Sequence, residues 1–143
     1  MAVETGQAII TAIYDRLTDD ATMKSLMSDP VRMYRVMAPK DPSFPYLVHR
    51  ARAGSWPNAD SRYFLDVWYY GADSATVDSI VERIRALLEN WRLTPGDNEL
   101  GAARVLFDGP TSGYVATDNQ KVWRYELSFR IPYWQRRYTT LVG

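Results

Sequence analysis

The side chains best suited to chemistry in this sequence are one histidine and three arginines on neighbouring segments. His49 is the only histidine among the 143 residues, and an imidazole titrates near neutral pH, so it could act as a general base. Arg50, Arg52 and Arg62 could share one strand face and hold a phosphate or a partner's carboxylate. The competing interpretation is a locally hydrogen-bonded strand histidine beside a solvated face with scattered carboxylate pairs. With no basic excess in the chain, the residues favour that second interpretation.

The acidic residues and the sequence motifs give no stronger indication of a functional site than His49 and the arginines. Asp97 and Glu99 flank Asn98 in a loop, but the ligand spacing of a calcium loop is missing. The pair Asp19-Asp20 precedes a short helical segment, where negative charge stabilises the helix N-terminus. The chain has no cysteine, which excludes thiolate zinc sites and thiol catalysis. The sequence contains neither a glycine-rich phosphate loop nor a Gly-x-Ser-x-Gly turn. We therefore predict no catalytic residue, no cofactor and no metal ligand.

The composition predicts one globular domain over residues 1–143. Hydrophobic residues make up 46%, and 17 basic residues balance 17 acidic ones, so the excess of positive charge typical of nucleic-acid-binding proteins is missing. No signal peptide and no apolar stretch of about 20 residues is evident, so we expect a soluble, intracellular protein when it is made. Aromatic residues reach 13%, and arginine far outnumbers lysine. Both biases are typical of interfaces, although an arginine coding bias with aromatic core strands would give the same composition.

A strand followed by a long helix forms the centre of the predicted fold. Ser61–Tyr70 is rich in aromatic and β-branched residues, which is typical of a strand. Asp73 and Ser74 then offer side-chain oxygens that could cap a helix. The apolar residues that follow recur with the helical period and predict an amphipathic helix packed on that strand: Val77, Ile80, Val81, Ile84, Leu87, Leu88 and Trp91.

The remaining elements complete an α+β pattern. A first helix is predicted from Thr5 or Gly6 to Leu17, and further strands are predicted at 31–36, 46–53, 102–108 and 121–133. The link 54–60 indicates a hairpin, and 109–120 is a candidate functional loop. The last strand alternates apolar and polar residues, which indicates one buried and one wet face. We predict an antiparallel sheet of about four or five strands, with the long amphipathic helix and the N-terminal helix packed on one face.

Short motifs and the order of elements point to a known family. Ala38-Pro39 and then Phe44-Pro45-Tyr46-Leu47-Val48 lead into the first long strand, and the strands Phe64–Tyr70 and Val122–Phe129 follow in the same order as in that family. This arrangement resembles the tail-terminator, or tail-completion, proteins of long-tailed bacteriophages. The resemblance covers the chain from Thr5 to Tyr133. No functional residue is carried over by it.

The resemblance implies a structural virion protein that is not an enzyme. Its copies would form a homohexameric ring that caps the tail tube, stops polymerisation of the tube and provides the joint to the head connector. The implied partners are other copies of the chain, the tail tube protein and the head–tail connector protein, with no membrane. DNA would pass through the lumen without sequence-specific binding. The ring would lie at the head-proximal end of the tail, after assembly in the host cytoplasm.

Bulky side chains in predicted loops are the candidate contacts of such a ring. A lone domain has little core in which to bury them, and aromatic and arginine side chains are typical interface anchors. These residues are Trp56, Tyr114, Trp134, Arg136 and Arg137. We expect residues 1–4 and 134–143 to be flexible or to become ordered at an interface.

Three other functions are compatible with the same residues. The first is another head–tail connector or adaptor protein with a similar small fold. The second is the cap of a secretion tube or toxin-associated tube related to phage tails. The third, from a different class, is a small α+β ligand-binding domain or an enzyme that uses His49 and the strand arginines around a pocket.

Overall fold

Two helices, three strands, a long helix and a second group of strands follow one another along the chain in an α+β arrangement, as predicted. The computed structural model describes residues 5–52, 60–93 and 100–135. In these ranges the elements are α1 (Thr5–Thr18), α2 (Ala21–Leu26), β1 (Met33–Arg35), β2 (Tyr46–Arg52), β3 (Asp60–Tyr70), α3 (Ala75–Leu88), β4 (Arg92–Leu93), β5 (Leu100–Arg104), β6 (Leu106–Phe107), a 3-10 helix (Gly109–Thr111), β7 (Gly113–Val115) and β8 (Val122–Gln135). No helix in this part of the chain is long and apolar enough to cross a membrane.

The strands form one sheet with the order β1-β2-β3-β8-β5-β4, and β6 and β7 also pair with β8. The predicted hairpin is confirmed by the antiparallel pairing of β2 with β3. The sheet has more strands than the four or five expected, and β1 runs parallel to β2. The difference arises because strands of two or three residues are too short to show an alternating pattern.

The helices cover one face of the sheet, and the core lies between them. The apolar side predicted for β8 is confirmed, because Leu127, Phe129 and Ile131 are buried. On the predicted wet side Arg130 is exposed, but Ser128 is buried. The apolar stripe of α3 is confirmed at five positions, which are Val77, Ile80, Val81, Ile84 and Leu88. The same core cluster includes buried side chains from α1, from α2 and the residue that ends it, and from the sheet: Ile9, Ile13, Leu17, Met23, Met27, Leu47, Tyr63, Leu65 and Val67.

The predicted strand 102–108 is interrupted at Val105, and the cause lies at the end of α3. The helix ends at Leu88, so Trp91 falls beyond the stripe in which the sequence placed it. Asn90 adopts a positive φ of 63° and donates its N–H to the carbonyl of Val105 at 2.8 Å. Val105 in turn donates its N–H to the carbonyl of Trp91 at 2.8 Å. These contacts take Val105 out of the main ladder and separate β5 from β6.

Two further segments differ from the sequence prediction. The predicted loop 109–120 contains the 3-10 helix and β7, which pairs with β8. The last strand extends past the predicted end at residue 133, because β8 runs to Gln135. Residues 134 and 135, which the sequence analysis assigned to the C-terminal segment 134–143, therefore belong to β8.

Asp20 joins α2 to α3. Its Oδ2 accepts the N–H of Met23 at 2.9 Å and so caps α2, as the sequence predicted. Arg83 of α3 donates to both carboxylate oxygens, from Nε at 2.9 Å and from Nη2 at 2.7 Å. The hydrogen bond from Arg83 is the main reason why the pKa of Asp20 is lowered. One carboxylate therefore fixes both the start of α2 and its position against α3.

We expect Asp20→Ala to lower the free energy of unfolding at pH 7, by about 1 kcal/mol from the lost cap and further from the lost ion pair. Because the pKa of Asp20 is lowered in the folded protein, this stabilisation is present above pH 3.8 and is lost as the pH falls below that value. Urea unfolding of both proteins at pH 7 and at pH 3 measures the effect. Asp19→Ala is the matched control, and an equal loss in the control would contradict the assignment.

Candidate assembly surface

His49 is a core residue and does not line an open site. It lies in β2 on the face that packs against the helices and is only 2% exposed. Its Nδ1 lies 2.8 Å from the hydroxyl oxygen of Tyr63. Burial, followed by the positive charge of Arg35, lowers the pKa of His49 to about 4. The ring is therefore neutral at pH 7, buried and already hydrogen-bonded, which supports the interpretation as a strand histidine and not as a general base.

The strand arginines lie on the other face of the sheet, which we call the outer face, and they form ion pairs there. Arg50 lies 3.7 Å from Asp66 and 3.3 Å from Glu126. Arg124 lies 3.1 Å from Asp66 and 3.6 Å from Glu126. The group has two positive and two negative charges, so it offers no excess charge to an anionic ligand.

The other two predicted arginines lie at the far end of the hairpin. Arg62 pairs with Asp108 at 2.9 Å, and Arg52 lies opposite Arg62 in the β2–β3 ladder, as the sequence suggested. Carboxylates thus neutralise Arg50 and Arg62, as expected for a face with carboxylate pairs. In the described ranges, no three histidine or acidic side chains come together in a way that could hold a metal ion.

Asp66 shows that the centre of the outer face is shielded from water. It is 4% exposed although no helix packs on this face. Burial raises the pKa of Asp66, although the nearby charges of Arg124 and Arg50 favour its ionised form. Its Oδ1 has no hydrogen-bond partner, and neither has the buried Nε of Arg124. The long side chains above Asp66 therefore shield its carboxylate from water but leave one carboxylate oxygen without a hydrogen bond.

An aromatic cluster occupies the end of the outer face next to β1, and the sequence analysis did not identify it. Its members are Tyr34, Phe44, Tyr46, Trp68 and Tyr70. Tyr46 stacks on Trp68 with ring centroids 5.9 Å apart and contacts Tyr34 at 6.0 Å. Phe44 lies 5.1 Å from Tyr46 and 6.0 Å from Tyr70. The aromatic residues at alternate positions of β3 could have indicated part of this cluster in the sequence. The contacts of Tyr34 from β1 and Phe44 from the proline-rich connector form only in the tertiary fold.

Two apolar side chains project into solvent where β1 ends. Val36 is 64% exposed and Met37 is 76% exposed. Val36 has a φ of 70°, which is strained for a β-branched residue. Its N–H donates to the carbonyl of His49, and Met37 donates to the carbonyl of Arg35, each at 2.8 Å. These hydrogen bonds hold a sharp turn that keeps both apolar groups at the edge of the sheet.

Tyr114 lies at the opposite side of the sheet, in β7 and not in a loop as predicted. Its ring contacts Tyr125 at 4.9 Å and Trp123 at 5.8 Å between centroids. Its hydroxyl donates to the carboxylate of Asp78 on α3. Burial and this hydrogen bond raise the pKa of Tyr114 to about 12. The side chain is still 46% exposed, so Tyr114 remains a candidate contact residue.

The structure describes only two of the five predicted contact residues. Trp56, Arg136 and Arg137 lie outside the described residues. The backbone of Trp134 lies in β8 opposite Ala102, so it is part of the sheet and not of a loop. Contacts through these residues stay a prediction, and Tyr114 is the one whose exposure the structure describes.

We expect the burial of neutral His49 to make stability depend on pH. The unfolded chain binds a proton near pH 6.5 that the folded chain accepts only near pH 4, so the free energy of unfolding should fall as the pH is lowered between these values. The loss attributable to His49 is up to about 3 kcal/mol. Denaturant unfolding of the wild type and of His49→Gln across this range measures it. Parallel pH curves for the two proteins would contradict the assignment.

The comparisons with known proteins agree with this arrangement. No curated protein matches the sequence. Among solved structures, a chain of the "Virion of native gene transfer agent (GTA) particle" shares the fold, with a TM-score of 0.70, 16% identity, and coverage of 92% of this chain and 98% of that chain. The model of the family described as "Tail completion protein gp17" matches residues 11–133, from α1 to β8. The protein therefore belongs to the tail completion protein gp17 family and is a structural protein of phage tails.

Proposed function

We propose that this protein is a tail terminator. In this proposal its copies form a homohexameric ring that caps the tail tube at the head-proximal end, stops polymerisation of the tube and provides the joint to the head connector. DNA passes through the lumen without sequence-specific contacts. Membership of the tail completion family supports this function, and the distribution of exposed apolar side chains on the domain is the observation that carries it.

That distribution provides two different surfaces on one subunit. A ring closes through a heterologous interface, in which one patch of a subunit contacts a different patch of the next. Val36, Met37 and the aromatic cluster lie at the β1 side of the sheet, and Tyr114 lies at the β7 side. The strands β2, β3 and β8 separate β1 from β7. The two surfaces therefore face away from each other, as successive contacts around a ring require.

The polar groups of the domain fit a structural role. His49 is buried and neutral, and Arg50, Arg62 and Arg124 are neutralised by carboxylates of the same chain. A subunit that binds its neighbours through shape and apolar contact needs no group with a free charge aimed at a substrate. The formal net charge of zero also fits DNA that moves past the ring without being held.

The proposal predicts a ring that limits tube length. We expect native mass spectrometry at micromolar concentration, or imaging of tails if the chain assembles only on a tube, to show closed hexamers at the head-proximal end. Purified tail tube protein should stop polymerising when the ring is added, because the capped end offers no surface for another subunit. Tubes that grow equally long with and without the protein would refute the function. A position elsewhere in the particle would favour the connector or adaptor alternative.

The contact residues that lie outside the described ranges are tested in the same assay. We expect Trp56→Ala, and the double variant Arg136→Ala/Arg137→Ala, to weaken ring formation and to fail to complement a phage that lacks the protein. The reason is that truncation of aromatic and arginine anchors removes the largest contributions to an interface. Thr11→Ala, at an exposed position of α1, is the control. Normal assembly and full complementation by both variants would exclude these residues from the contacts.

A further inference from the structure

We propose that neighbouring copies join by strand pairing, with β1 of one copy antiparallel to β7 of the next and Arg35 opposite Tyr114. The sheet would then continue from copy to copy. This inference rests on the proposed ring and names the two surfaces that form its interface. The hydrogen bonds, strand directions and side-chain faces of the two edges carry it.

The hydrogen bonds of β1 determine which of its backbone groups face outward. The carbonyl of Arg32 accepts from β2, and the N–H of Val36 donates to the carbonyl of His49, both at 2.8 Å. Alternate residues of a strand direct their backbone groups to the same side. Met33 and Arg35 lie between these positions and direct their N–H groups away from β2. In the part of the chain that the structure describes, β1 pairs only with β2.

The same reasoning applies to the strand that carries β7. The carbonyl of Ser128 accepts the N–H of Asp108 at 2.8 Å, and the N–H of Ser128 donates to the hydroxyl of Ser112 at 2.9 Å. Ser128 therefore directs its backbone groups toward the β6–β7 side of β8. By alternation, Glu126 and Arg124 do the same.

These two residues of β8 lie opposite Gly113 and Val115 of β7. Gly113 and Val115 therefore use their backbone groups within the subunit, and Tyr114 between them directs its N–H and carbonyl outward. Tyr114 is thus the position of β7 that could hydrogen-bond to another strand. On β1 the corresponding positions are Met33 and Arg35. The carbonyl of Arg35 already accepts the N–H of Met37 at 2.8 Å, so it would accept the N–H of Tyr114 through its second lone pair.

The strand directions of the two edges suit pairing. β1 is parallel to β2, and the steps from β2 to β3, from β3 to β8 and from β8 to β7 are each antiparallel. Three reversals make β7 run opposite to β1. A neighbour related by the rotation of a ring would therefore present β7 antiparallel to β1, which is the orientation in which short strands pair well.

On each face of the sheet, the side chains of β1 and those of the neighbour's β7 would be complementary. Arg35 lies opposite His49 in the ladder and so on the helix-covered face, where Tyr114 also lies. Beside each other, the guanidinium of Arg35 would reach the ring of Tyr114 and the carboxylate of Asp78, both of which are exposed. On the outer face, the small side chain of Val115 would lie beside the ring of Tyr34. The contacts are thus complementary in charge on the helix-covered face and in size on the outer face.

The turn after β1 adds apolar surface to this contact. The strained backbone of Val36 holds Val36 and Met37 beside the free edge, where a lone subunit leaves them largely exposed. A β7 strand from a neighbour would cover them and remove apolar surface from water. Strained residues concentrate where a conformation serves a contact or a site.

Cysteine crosslinking tests the pairing directly, because the natural chain has no cysteine. Opposite residues of an antiparallel pair have Cα atoms about 5.5 Å apart, a distance that suits a disulfide. A mixture of Arg35→Cys and Tyr114→Cys should form a disulfide-linked pair under mild oxidation, and each variant alone should not. The double variant should give covalent closed rings. Thr22→Cys mixed with Tyr114→Cys is the matched control and should stay unlinked.

A charge exchange provides a second, independent readout. Arg35→Glu and Asp78→Arg should each shift ring assembly to at least about tenfold higher protein concentration, because like charges then face each other. The combined variant should restore assembly. Thermal unfolding of each variant separates loss of pairing from loss of fold, and Arg35→Glu should keep the wild-type transition. Asp78→Arg also loses the hydrogen bond from Tyr114, so it is compared with Tyr114→Phe, which loses the same bond without the change of charge.

The outcomes distinguish this inference from the proposed function. Wild-type rings without the mixed crosslink, and without any effect of the charge exchange, would overturn the strand pairing and leave the ring in place. Crosslinking of Arg35→Cys with itself would indicate a two-fold pairing of β1 edges and would also overturn it. If the wild-type protein forms no ring in solution or in assembled tails, the proposed function fails, and the pairing fails with it.

Discussion

The pairing of β3 with β8 is the interaction on which the rest of this structure depends. The two strands are aligned from Asp60 opposite Pro132 to Tyr70 opposite Val122, so that the whole of β3 is paired. Every other strand except β1 and β4 pairs directly with one of these two, and α3 packs on both. The ladder joins segments that are distant in the sequence, so the intervening helix and short strands must fold around it. Its alternation then determines which residues are buried under the helices and which lie on the outer face.

The helix-covered face and the outer face of the sheet exclude water in different ways. The covered face buries aliphatic and aromatic side chains, and there His49 and Tyr63 are hydrogen-bonded to each other, whereas the buried hydroxyl of Ser61 has no hydrogen-bond partner. The outer face has no helix, yet Asp66 is buried there beneath arginine and aromatic side chains. Long side chains thus shield the middle of the face, and the aromatic cluster covers one end. This arrangement leaves the apolar groups at the edges of the sheet as the surface that a partner would cover.

A domain of this construction suits a protein that works by assembly. Among the described residues, the arginines at the centre of the outer face are paired with carboxylates of the same chain, the one imidazole is buried, and Val36, Met37 and Tyr114 are exposed at two separate edges of the sheet. The exposed apolar groups at the two edges are the surface that such a subunit offers to another protein. In the sequence, the order of elements and the proline-rich entry to β2 were the features that indicated the family.

The sequence by itself determined the elements that are long enough to show a period. The apolar stripe from Val77 to Leu88 and the alternation in β8 each extend over several helical turns or residue pairs, so they show which side of the element is apolar. The order of such elements along the chain indicates the α+β class. The role of Asp20 as a helix N-cap could also be predicted, because an N-cap bonds to a backbone N–H only a few residues further along the chain. Only the tertiary structure decided where β1, β4, β6 and β7 pair, that Tyr114 lies on a strand, and which aromatic rings meet on the outer face. The physical reason is that side-chain periodicity reports burial of one element, whereas strand neighbours, free edges and clusters depend on contacts between segments far apart in the sequence.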